Sequence, residues 1–170
     1  MKHKYFYITL LFLLNHFVSF SQVLSEEERK LYNIIMEYRR ENGLPNIPLS
    51  ASLTYVAQMH CKDLVEKIGY LTHAWSNCPY NARDSKTYPC MWQKPSELTK
   101  YKGYGYECAH GGSGGYIATA ESSLNGWKNS NPHNAVILNQ DNWNDNNWNA
   151  IGVGILNGYA VIWFGEEFDN

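Results

Sequence analysis

The chain has no C-x-x-C pair, no H-E-x-x-H run and no Asn-x-Ser/Thr sequon. The first absence argues against a four-cysteine zinc site, which usually takes its ligands in such pairs. The second removes the helix-borne two-histidine zinc motif. Charge is sparse and nearly balanced, with 18% charged residues and a net charge of -2. A phosphate backbone needs a cationic surface, so nucleic acid is excluded as a partner. Long apolar runs are also missing beyond the stretch from Phe6 to Phe20, which Asn15 and His16 interrupt. That stretch is short for a membrane span and runs at once into the acidic Ser25-Glu26-Glu27-Glu28.

Lys2 and Lys4 precede the apolar stretch, and Ser19-Phe20-Ser21 offers small residues for cleavage. Residues 1–21 therefore read as a secretory signal peptide, and 22–170 as a single domain starting near Gln22. No cysteine stands at the cleavage point to carry a lipid. The expected location is secreted, whether periplasmic or extracellular, and the missing sequon suits a bacterial exporter.

Cys61, Cys78, Cys90 and Cys108 form an even set in an exported chain, which points to two disulfides with three pairings open. The pairing adopted as an expectation is Cys78–Cys90 with Cys61–Cys108. The first would close a loop rich in Tyr, Pro and Asn, and the second would tie a helix to the segment holding Glu107.

Ser25 and Glu28 form a capping box, followed by Leu31, Ile34, Ile35 and Tyr38 at helical spacing up to Asn42-Gly43. Ser50 caps a second helix whose apolar face holds Leu53, Val56, Ala57, His60 or Cys61, and Leu64. From Leu71 to Gly105 no period is sustained, and prolines and two cysteines mark a long braced loop with a short helix near Ser96 to Lys100. The glycines of 111–115 read as a surface turn, since no phosphate-loop Lys follows them. Thr119 to Lys128 reads as a helix with Ala120, Ser123, Leu124 and Trp127 on one face, stopped before Pro132. At the end, Ile151, Val153 and Ile155 alternate, Asn157-Gly158 predicts a type I′ turn, and Tyr159, Val161 and Trp163 alternate again. The order predicts an α+β domain.

The run from Trp127 through Ser130 and His133 to Ile137-Leu138 resembles a W-x-x-S-x-x-H-x-x-x-I-L signature of bacterial CAP-superfamily proteins, the relatives of cysteine-rich secretory proteins, antigen 5 and pathogenesis-related protein 1. The opening Arg39…Gly43-Leu44-Pro45 and the ending Ala150-Ile151-Gly152-Val153-Gly154-Ile155 with Tyr159 to Gly165 are similar to the same (SCP) domain. The resemblance implies an α-β-α sandwich around a central antiparallel sheet, with a cleft lined by two His and two Glu. Carried over, the cleft residues are His73 in Leu71-Thr72-His73, Glu107 in Gly105-Tyr106-Glu107, His133, and Glu121. Glu121 stands six residues before Trp127 where the family glutamate stands five before, a turn of about 100°. His60 and His110 are expected to be a helix-face and a loop residue.

Two imidazoles and carboxylates around one cavity suit a divalent cation such as Zn²⁺, with His73 and His133 as its ligands. A hydrogen-bonded His–Glu network that braces the cleft fits the same residues. The function this implies is an extracellular binding module for a lipid, sterol or glycan; the alternative is a metal-assisted hydrolase in the same cleft. The aromatics of the loops, among them Trp75, Trp92, Trp143 and Trp148, are a second surface for such ligands, although most are expected in the core.

Overall fold

A computed structural model describes residues 23–169. The signal segment assigned to residues 1–21 lies outside the described residues. Helix α1 (Glu26–Glu41) starts at the expected capping box, in which Ser25 Oγ accepts from Glu28 N and the Glu28 carboxylate accepts from Ser25 N. Helix α2 (Ala51–Asp63) is capped by Ser50 and continues into a π-helical turn, Leu64–Ile68, that Gly69 ends at φ +80°. Short helices α3 (Pro89–Trp92) and α4 (Lys94–Leu98) interrupt the long loop region. Strand β1 (Tyr106–Gly111) follows, then α5 (Ala120–Lys128), α6 (Asn131–Ile137), and strands β2 (Ala150–Leu156) and β3 (Tyr159–Gly165).

The sheet is antiparallel in the order β1-β3-β2. As the central strand, β3 is buried on both faces, so both of its alternating residue sets are apolar. Tyr159, Val161 and Trp163 face α2 and pack with Leu53, Val56, Ala57 and Cys61. Ala160, Ile162 and Phe164 face α1 and α5 and pack with Leu31, Ile35, Leu124 and Trp127. Helices thus cover both faces, and the expected α-β-α sandwich is the fold. Gly152 and Gly154 let α2 lie on β2: a Cβ at Gly152 would stand 2.0 Å from the Leu53 backbone.

Strand alternation overturns one expected disulfide. Cys78–Cys90 is formed, whereas Cys61 and Cys108 are both free and buried. Residue 108 points to the α1/α5 face of the sheet and Cys61 belongs to the α2 face, so the sheet separates the two thiols.

Two local expectations are also corrected, and a third gains a detail. His133 lies past the end of α5, but Pro132, which lacks an N–H to lose, opens a new helix there, and His133 sits in the first turn of α6. His110 is a strand residue of β1, half-buried, with Nε2 2.9 Å from Tyr116 Oη. In the hairpin turn only Asn157 takes a positive φ, so the turn is not type I′. Gly158 is required by close approach instead, since a Cβ there would meet Gly112 O at 2.3 Å.

The cysteine assignment is checked by counting thiols without reductant. Native protein should show none reactive with a thiol reagent, because burial raises both thiols well above their ordinary range. Denatured protein should show two; a count of zero after denaturation would restore the second disulfide.

Candidate functional site

Four elements bring the site together. Strand β1 presents Glu107 on the α2 face, paired in register with Trp163. Helix α2 supplies His60 from its apolar face, the loop after the π turn supplies His73, and α6 supplies His133. The position of α6 is set from α1. Tyr38 Oη donates to Asn134 Oδ1 at 2.8 Å, and buried Arg39 donates to Ile137 O at 2.5 Å and Asn139 Oδ1 at 2.8 Å. Burial lowers the Arg39 guanidinium to about 10, and it satisfies the Ile137 carbonyl, which the end of α6 leaves open.

At the centre is the Glu107 carboxylate, whose side chain is 0% exposed. His60 Nδ1 donates to Oε2 through a short bond, and His73 Nδ1 donates to Oε1 at 2.6 Å. His60 Nε2 lies 3.1 Å from Ala74 O, so both His60 nitrogens face acceptors and both must carry protons. Its ring stacks on Trp75 with centroids 4.5 Å apart. Burial pushes Glu107 up, but the charge and hydrogen bonds of His60 and His73 outweigh it and hold the carboxyl below its ordinary value. Burial likewise pushes His60 down, and the Glu107 carboxylate outweighs it and raises the imidazolium above 6.5.

His73 and His133 line the open side, with ring centroids 6.4 Å apart. His73 retains 31% side-chain exposure, and Tyr80 meets its ring edge-on at 5.3 Å. His133 Nδ1 lies 2.7 Å from Oγ of Ser130, the N-cap of its own helix. Burial, then the nearby His73, lowers His133 and favours its neutral form. The Nε2 atoms of His73 and His133 have no hydrogen-bond partner among the described residues.

The structure therefore brings His73, Glu107 and His133 together and leaves Glu121 out. Glu121 lies in the first turn of α5, half exposed, with Oε1 2.5 Å from Lys30 Nζ of α1. The next position holds Ser122, which closes a capping box with Thr119. The residue sequence reasoning underrated is His60. Its signal was visible, because a histidine on the apolar face of α2 must find a buried partner.

Among the described residues, no group of three or more His, Cys, Asp and Glu side chains is arranged to hold a metal ion. The free Nε2 atoms of His73 and His133 are two candidate ligands. Both Glu107 oxygens are committed to imidazoles, and Glu121 is committed to Lys30. A zinc site with three protein ligands is not met by this set.

The buried triad makes stability depend on pH at both ends. Glu107, held low, contributes stability that is present above the ordinary carboxyl value and lost as pH falls through its folded value. His60, held high, contributes stability that is fully present below about 6.5 and lost as pH rises through its folded value. The contribution of this pair, read from urea denaturation as the difference between the wild type and Glu107→Gln, should therefore be largest between about pH 5 and 6.5. Glu107→Gln should flatten that dependence and cost on the order of 3–5 kcal/mol at pH 6. An unchanged pH profile in this variant would show that the triad does not carry the linkage.

The geometry can be set beside known proteins. Residues 32–160 match the model of the cysteine-rich secretory protein family, CAP. No curated protein is similar at a significant level. Among solved structures, an extracellular protein containing an SCP domain from Bacillus anthracis superposes with a TM-score of 0.62 at 18% identity, over 83% of this chain and 40% of that one. A cysteine-rich secretory protein from Staphylococcus aureus gives 0.54 at 17% identity, over 83% and 39%. The chain spans about two-fifths of the length of these two proteins, and the likeness shows the shared fold. No helix among the described residues is long and apolar enough to cross a membrane. With a family match over most of its length and the same sandwich fold, this chain belongs to the cysteine-rich secretory protein (CAP) family.

Proposed function

We propose that the protein is an exported binding module that takes a glycan at the His73–His133 cleft and along the aromatic wall beside it. The observation that carries this reading is a run of aromatic side chains leading away from His73. Tyr80 meets His73, Tyr88 stacks on Tyr80 at 5.6 Å, Trp92 follows at 5.1 Å, and Tyr104 lies 6.2 Å beyond with 53% exposure. The Cys78–Cys90 disulfide closes the loop that holds Tyr80 and Tyr88. Partly exposed Tyr and Trp rings with polar tips suit sugar faces, and the imidazole nitrogens supply polar contacts at one end. The formed disulfide fits an oxidising compartment, in line with export.

Glu107 serves this site as a fixed carboxylate that orients His73 by its Nδ1–H. The outer nitrogen of that ring is then aimed away from the buried pair. Hydrolysis with Glu107 as general base would need that carboxylate to face the ligand, and it is enclosed by its two histidines.

Calorimetry with soluble chitohexaose and cellohexaose should detect binding that Trp92→Ala or Tyr80→Ala weakens by up to about tenfold, with no cleavage products. Binding to phosphatidylcholine vesicles in place of either sugar would replace the glycan reading with a lipid one. Turnover of the sugar lost in His133→Ala would replace it with a hydrolase.

A divalent cation such as Zn²⁺ would rest on His73 and His133 alone. Calorimetric titration with zinc is expected to show no tight stoichiometric site. Stoichiometric binding abolished by either His73→Ala or His133→Ala would overturn this and make a metal centre of the cleft.

A further inference from the structure

Ser130 stands at the N-cap of α6 and does not cap it. Three other helices of this chain start at a hydroxyl residue, and each hydroxyl accepts from the backbone N–H three residues on: Ser25 from Glu28, Ser50 from Leu53, and Thr119 from Ser122. At the start of α6, Pro132 has no N–H to offer, and the Ser130 side chain makes no bond to the backbone N–H of His133. Its Oγ lies instead 2.7 Å from Nδ1 of the His133 ring. The hydroxyl serves the imidazole in place of the helix end.

The direction of that bond follows from what else each partner can reach. Burial and the neighbouring His73 favour the neutral ring, in which one nitrogen carries the proton and the other accepts. Among the described residues, Nδ1 of His133 is the one hydrogen-bond partner of the Ser130 side chain. A bond from Nδ1–H to the hydroxyl oxygen would leave the hydroxyl hydrogen without an acceptor among these residues. With Ser130 donating, every proton has a place: the ring proton sits on Nε2, which faces the open side of the cleft beside His73. The bond made by one ring nitrogen sets the state of the other.

We propose that Ser130 is a positioning residue whose hydroxyl donates to Nδ1 of His133 and holds the ring proton on Nε2, so that the cleft presents a hydrogen-bond donor there. Such a donor selects an oxygen with a free lone pair. The acetamido carbonyl, hydroxyl and ether oxygens of a sugar meet that need, whereas an ammonium group has no lone pair to offer. This ligand contact rests on the glycan reading of the cleft; the assignment of Ser130 to the ring does not.

The tautomer is read from ¹⁵N–¹H correlation spectra of protein labelled with ¹⁵N in its histidine rings, at about pH 8, where His133 is neutral. The His133 ring is identified by its loss in His133→Gln, or in His133→Asn should the first not fold. Its proton should sit on Nε2 in the wild type. Ser130→Ala should move the ring toward the mixed tautomers of free histidine, and Ser130→Thr, which keeps the hydroxyl, should restore the wild-type pattern. A proton on Nδ1 in the wild type, or a ring unchanged by Ser130→Ala, would overturn the proposal. Calorimetry with chitohexaose tests the ligand contact: Ser130→Ala should weaken binding about three- to tenfold and Ser130→Thr should not. Undiminished binding by Ser130→Ala would overturn the donor contact. Absence of chitohexaose binding in the wild type would count against the glycan reading alone, since the spectra decide the role of Ser130 without a ligand.

Discussion

The buried carboxylate of Glu107 is the constraint around which this domain is organised. An ionised group with no exposed surface on a central sheet is tolerated only when its oxygens are fully engaged, and ideally by positive charge. His60 and His73 meet that demand from two different elements. One comes from the helix covering the sheet and the other from the loop that leaves it. The same bonds that satisfy Glu107 therefore fasten α2 and its following loop to β1, and they fix the ring of His73 at the surface.

Around that centre the molecule uses its polar residues as ties between layers. Arg39 and Tyr38 reach from α1 to α6 and set the helix that carries His133. Trp127 Nε1 donates to Ala109 O at 3.1 Å and Trp148 Nε1 to Val136 O at 2.9 Å, so two of the largest core side chains also close backbone bonds. Gly152 and Gly154 remove the side chains that would hold α2 off the sheet. The site is thus built on rigid elements, with its variable surface in the loop region that the Cys78–Cys90 disulfide braces.

Trp75 extends the buried centre toward the loop region. One face contacts His60 of the buried triad and Lys94 stands over the ring. The cleft with its aromatic wall offers imidazole nitrogens and stacking faces. A family assignment does not choose among such ligands, because function resides in the site and not in the fold.

Local chemistry written in the chain determined much of this. The Ser25–Glu28 box, the Ser50 cap, the apolar face of α5 and the alternation of β2 and β3 depend on neighbours within a few residues, and each formed as read. So did the Cys78–Cys90 bridge, which joins residues only twelve apart. What escaped was decided by which face of an element meets which layer. Cys61 and Cys108 stay apart because the sheet stands between them. Glu121 turns to Lys30, and His60 finds Glu107 across 47 residues. Pro132 stops one helix and starts another because α1 offers bonds that hold α6 in place. Pairings of this kind are set by three-dimensional packing, which spacing along the chain does not encode.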